Sequence, residues 1–93
     1  MSELPPAARG SVRDNTAESR FELFVDGETA FLVYKRTSDT LTLIHTEVPP
    51  ALRGHHLGDA LVEAALQSAR SAGLRVVAVC PFAKEYMRKH PAN

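Results

Sequence analysis

A chain of 93 residues supports one domain, and a domain of this size buries only about 60% of the surface its unfolded chain exposes, so it leaves no room for a separate substrate domain. Lys plus Arg equals Asp plus Glu at 11 each, a formal net charge of zero with no basic stripe, which argues against a nucleic-acid surface. The longest strongly apolar run, 76–83, falls far short of the roughly 18 residues of a membrane span, the single cysteine precludes an internal disulfide, and no secretory leader is recognisable, so a soluble protein of the reducing cytoplasm is expected.

Residues 1–17 carry Pro5-Pro6, scattered charges and no apolar period, the pattern of a flexible tail or a weakly docked first strand. A single domain is expected over 18–93. From Arg20 onward three β-branched and aromatic runs are separated by Asp26-Gly27 and by TSDT at 37–40. Asp-Gly between such runs signals a tight hairpin, so an antiparallel meander is predicted. Pro49-Pro50 end the third run by fixing φ and removing backbone donors. A helical period follows through Leu57, Leu61, Ala64, Ala65, Ser68 and Ala72, widened by Val62, Leu66 and Ala69. Gly73 suits the left-handed position past its end, and Arg70 complements the dipole in its last turn.

LRVVAVC, 74–80, reads as a strand covered on both faces. With the preceding helix it predicts a right-handed crossover that places 41–48 and 74–80 side by side and parallel. Pro81 ends this strand, and a short helix over 82–89 stops before Pro91. The expected class is α+β: a mixed sheet made of an antiparallel meander and a β-α-β crossover, with a short C-terminal helix.

The junction HTEVPPALRGHHLGDAL, 45–61, joins a strand to a helix N-terminus, where unpaired amides and the positive end of the dipole form a generic anion site. Arg53 stands beside those donors. Gly54 falls where the backbone would approach a ligand, and Gly58 at the opening of the helix. The alternative is a tight turn beside a solvated arginine. Neither a P-loop Gly-Lys-Ser/Thr nor G-x-G-x-x-G is present.

HTEVPPALRGHHLGDALVEAAL, followed by GLRVVAVCPF and KHP, resembles the compact single-domain branch of the GNAT acetyltransferase superfamily, the YjdJ-like N-acetyltransferase-like proteins, over about 20–91. The resemblance implies a GNAT-like mixed sheet crossed by one helix, with acetyl-CoA as co-substrate and an amine or peptide as acceptor. Its pyrophosphate would lie on the loop, against Leu52, Arg53, Gly54, His55, His56, Leu57 and Gly58. Its pantetheine arm would run between splayed parallel strands, against Thr46 and Val48, with the thioester between 44–47 and the end of the second strand. Against the superfamily pattern Gln/Arg-x-x-Gly-x-Gly/Ala, Ala51 stands at the first position and His56 at the sixth, where a helical φ would accommodate it. Only Asp26–Thr29 separates the first two strands, so the helices that wall the acceptor site in larger relatives have no counterpart.

Three residues are candidates for catalysis. Cys80, at the end of the strand flanking the thioester, would carry an acetyl group as a thioester, or else be a small buried hydrophobe. His45 is the candidate base or proton shuttle, and Glu47 would orient it or be a strand-end carboxylate. Simple alternation puts Leu41, Leu43, His45 and Glu47 on one face. Tyr86 either protonates the leaving CoA thiolate or packs its helix. His45, His55, His56, Cys80 and His90 lack metal-ligand spacing, and no metal is expected. The functional expectation is N-acetyl transfer from acetyl-CoA to an unidentified amine, directly or through Cys80, by a monomer or weak homodimer without nucleic-acid or membrane partners. The alternative is a non-catalytic acyl-CoA binding or sensing module.

Overall fold

Asp26 and Gly27, both at positive φ (51° and 77°), close the first hairpin in the mirror-image turn that matches strand twist. They join β2 (Arg20–Val25) to β3 (Glu28–Arg36). The computed structural model describes residues 12–90. Its other elements are β1 (Arg13–Asn15), β4 (Thr40–Glu47), a 3-10 turn (Pro50–Leu52), α1 (Leu57–Ala72), β5 (Arg75–Ala78) and α2 (Pro81–Lys89).

The strands form one sheet in the order β1-β2-β3-β4-β5. Its pairs are antiparallel except β4 and β5, which are parallel and joined through α1. The meander and crossover thus stand as the sequence predicts, compatible with a GNAT-like fold. Residues 13–15 are a paired strand, the second of the two readings of the N-terminal stretch, whereas residues 1–11 and Pro91 lie outside the described residues.

Both helices join one core cluster with Leu23, Leu32, Leu41 and Leu43 on one face of the sheet. Helix α1 buries Leu57, Ala60, Leu61, Val62, Ala65 and Ala69 there, while Ala72, expected in the apolar stripe, is exposed. Gly73, at φ 70°, caps the helix with amide bonds to the Ala69 and Arg70 carbonyls, as its position predicts.

The expectation that 74–80 is covered on both faces is wrong. β5 is an edge strand, and Val77 and Val79 are 43% and 55% exposed. With both helices on one face, outward valines satisfy strand propensity without a layer to pack against.

At the far edge of the open face, Glu22 is only 2% exposed. Arg20, Arg13 and Asn15 all donate to its carboxylate, at 2.6, 3.3 and 3.0 Å. The Arg20 hydrogen bond leads in holding its pKa below the usual glutamate range, followed by that from Asn15 and opposed by desolvation. On the core side, the Tyr34 hydroxyl donates to Asp14 at 2.6 Å. Desolvation, reinforced by Asp14, pushes Tyr34 up to about 12. These bonds dock β1. Glu22→Ala should lower unfolding free energy by about 1–2 kcal/mol at pH 7, read from urea midpoints. Because the folded pKa is depressed, the Glu22 contribution is present above about pH 4.5 and lost as pH falls through the folded value. The wild-type and alanine proteins should therefore converge in acid.

Candidate functional site at the strand-to-helix junction

The site depends on one irregularity in β4. Tyr34 pairs with Leu43 but Val33 with His45, leaving Ile44 as an extra residue. Such a bulge resets the alternation of side chains beyond it. Leu43 and Thr46 therefore share the helix-covered face with their partners Tyr34 and Leu32, while His45 and Glu47 lie opposite Val33 and Phe31 on the open face. Placing Leu41, Leu43, His45 and Glu47 on one face is corrected accordingly, because a bulge breaks the period of two on which that alternation rests.

His45 and Glu47 form an exposed pair, with Nε2 2.9 Å from Oε1. The imidazole edge approaches the Phe31 ring, centroids 6.5 Å apart. Cys80 lies on the other side of β4, 3% exposed, its Sγ 3.4 Å from Thr46 Oγ1. Burial raises its pKa, but the Thr46 hydroxyl and the amides of Ala83, Phe82 and Thr46 outweigh it and bring the thiol below its usual range. This is the polarity expected where a cysteine precedes a helix, although no side-chain capping hydrogen bond closes on α2. The fold thus places His45 and Cys80 on opposite faces of β4.

Pairing between β4 and β5 ends at Leu43 and Ala78. The Val79 and Cys80 amides both donate to the Leu43 carbonyl, at 2.8 and 3.0 Å, and the chain turns into α2. β4 continues to Glu47 along β3 only. Its last residues thus have a strand neighbour on one side and an open edge on the other.

This edge leads to the loop before α1. Leu52 and Leu57, both buried, anchor the ends of the 53–56 segment in the core. Arg53 Nε donates to the Val48 carbonyl at 3.1 Å and ties the loop to the end of β4. Gly54 has φ 87° and nothing within 4 Å of the position a Cβ would occupy. It is required by conformation, not by close approach. Gly58 is the reverse: its Cβ would come within 2.7 Å of the Phe82 ring, so it lets α2 pack against the first turn of α1.

His56 corrects a second expectation. It precedes α1 at φ 61°, left-handed rather than helical, a conformation that costs an L-residue roughly 1–2 kcal/mol. Its Nδ1 lies 3.3 Å from Asp59 Oδ2. His56→Gly should stabilise the protein by about 1 kcal/mol in urea denaturation, less whatever the exposed Asp59 contact contributes.

A cleft of about 410 Å³ is lined by Thr46, Glu47, Val48, Leu52, Arg53, Gly54, His56, Leu57, Gly58, Asp59 and Phe82. It gathers the expected binding residues except His55, together with Glu47; His45 and Cys80 do not line it. Asp59 and Phe82 were absent from the sequence reading. Asp59 was discernible as an acidic side chain in the first helical turn, whereas Phe82 is brought in by tertiary packing. Tyr86 stacks on His90, ring centroids 4.4 Å apart, and borders a separate groove with Leu66, Leu74 and Val76. Among the described residues, no three His, Cys, Asp or Glu side chains group as a metal site would require, and no helix is long and apolar enough to cross a membrane.

Comparison with known proteins agrees with this geometry. Protein NATD1 of Xenopus tropicalis is 26% identical over 94 residues, spanning 98% of this chain and 86% of the relative. The family described as GCN5-related N-acetyl-transferase matches residues 20–93, from the first residue of β2 through both helices. Members of this family use acetyl-CoA as co-substrate and acetylate an amine. The match, which runs across nearly the whole described sheet and includes the parallel β4–β5 pair and the loop at the start of α1, makes this chain a member of the GCN5-related N-acetyltransferase family.

Proposed function

We propose that the protein transfers an acetyl group from acetyl-CoA to an amine acceptor. The observation that carries this reading is the continuity between the open edge of β4 and the cleft at the start of α1, which share Thr46 and Glu47. Peptide-like amides of a pantetheine arm suit a strand edge with no second partner. A pyrophosphate suits helix N-terminal amides beside Arg53. Leu52, Leu57 and Phe82 supply apolar lining. Asp59 opposes a phosphate electrostatically, and its contact with His56 moderates that opposition.

In direct transfer, the amine nitrogen attacks the thioester carbonyl carbon; the C–N bond forms, the C–S bond breaks, and CoA leaves as a thiolate that takes a proton from water. The proton lost by nitrogen goes to His45. In the tautomer whose Nε2–H donates to Glu47, Nδ1 is the available base. A second route uses Cys80, whose thiol is acidified by its surroundings but is buried and has to be uncovered first: its thiolate attacks the thioester and expels CoA as a thiolate, and the acetyl-cysteine then passes acetyl to the amine, whose lost proton goes to the released cysteine thiolate.

Calorimetry with acetyl-CoA and CoA release across an amine panel test the reading. Binding with amine-dependent release supports it. Binding without release favours the acyl-CoA sensing alternative, and no binding contradicts both. Direct transfer predicts that Cys80→Ser keeps wild-type turnover and that no acetyl increment accumulates on the protein in intact-mass measurements. A rapidly formed increment lost in Cys80→Ser, with loss of turnover, would establish the relay instead.

A further inference from the structure

Resting on the acetyl-transfer reading, we infer that the acceptor is a small primary amine on an apolar alkyl or aryl carrier, received on the open sheet face beside His45. On the helix face, Leu41, Leu43 and Cys80 are at most 3% exposed, whereas the direct route brings the amine to His45 on the open face. On the open face, the bulge places Ile44 next to His45. Val77 pairs with Thr42, and the Val79 amide reaches the Leu43 carbonyl, bringing both valines alongside Ile44. Ile44, Val77 and Val79 are 39%, 43% and 55% exposed, forming an apolar strip next to the base.

Charge decides between this carrier and a basic peptide or polyamine. The register puts Arg13, Arg20, Lys35 and Arg75 on the open face against Glu22 and Glu47. Glu22 is already occupied by Arg13 and Arg20, and Glu47 by His45. Asp39, at the end of this face, is held by the Thr40 and Thr37 hydroxyls; among the described residues the face keeps a surplus of positive charge, with no unpaired row of carboxylates, and so repels a polycation. An amine with a single cationic centre and an apolar flank avoids that repulsion and covers the strip. Near this face it also loses its proton more readily, as the nucleophile must.

The test compares phenethylamine, spermidine and a lysine-rich peptide as acceptors with saturating acetyl-CoA. Phenethylamine should have a kcat/KM at least tenfold above the others, counted per amine. Val77→Lys, a change an edge strand tolerates, should raise the phenethylamine KM about tenfold while leaving acetyl-CoA affinity within twofold; Val77→Thr, which retains the β-branch, should have a smaller effect in the same direction. Preference for spermidine or the peptide, or an unchanged KM in Val77→Lys, overturns the acceptor assignment and leaves acetyl transfer standing. Acetyl-CoA binding with no acetylation of any acceptor overturns both.

Discussion

His45→Ala is expected to lower kcat by about 10²–10⁴, the range for losing a positioned general base, while acetyl-CoA affinity stays within twofold. The two effects separate because His45 lies on the open face and does not line the cleft. Stability should change little, since the side chain is 58% exposed and its contacts are an exposed carboxylate and one ring edge. Glu47→Gln should cost less, about tenfold in kcat, because it keeps a hydrogen-bonding partner for the imidazole and removes only the carboxylate charge. Steady-state kinetics with calorimetry on the same preparations checks both. A full-rate His45→Ala enzyme would remove the imidazole from the chemistry.

Arg53→Ala should weaken acetyl-CoA binding by about 10- to 100-fold through two separable losses. One is a cation beside the helix amides, which contributes most at low ionic strength. The other is the bond from Nε to the Val48 carbonyl that fixes the loop to β4, about 0.5–1.5 kcal/mol of net interaction. Arg53→Gln keeps a donor able to reach that carbonyl and loses the charge. It should fall between wild type and alanine, with a shallower dependence of Kd on salt than wild type. Equal Kd values for all three proteins would place the pyrophosphate elsewhere.

Local chemistry made much of this fold legible in the sequence. Asp26-Gly27 required positive φ, the 57–72 period required a helix, and Gly73 required a left-handed stop; each is a near-neighbour rule. The loop residues of the cleft were legible for the same reason, because a strand, a glycine turn and a helix start are contiguous in sequence. The β4 bulge was not legible. TLTLIHTE alternates well enough to read as a regular strand, and Ile44 becomes an extra residue only through the register β3 imposes. That single residue places His45 and Cys80 on opposite sides of β4. Phe82 was hidden for a related reason: nothing near it in sequence shows that its ring fills the space left by Gly58. The left-handed conformation of His56 was not legible because histidine's enrichment at positive φ is too weak a signal to decide one position.

Binding of acetyl-CoA along the free edge of β4 and over the loop before α1 is tested most directly by titrating the 15N-labelled protein with acetyl-CoA and following backbone amide shifts. The largest saturable shifts should fall on residues 44–48 and 53–58, with small changes in β1 and β2 and a loss of the loop shifts in Arg53→Ala. Shifts concentrated instead in the groove bordered by Leu66, Val76 and Tyr86, or no saturable shifts at all, would contradict the proposed site.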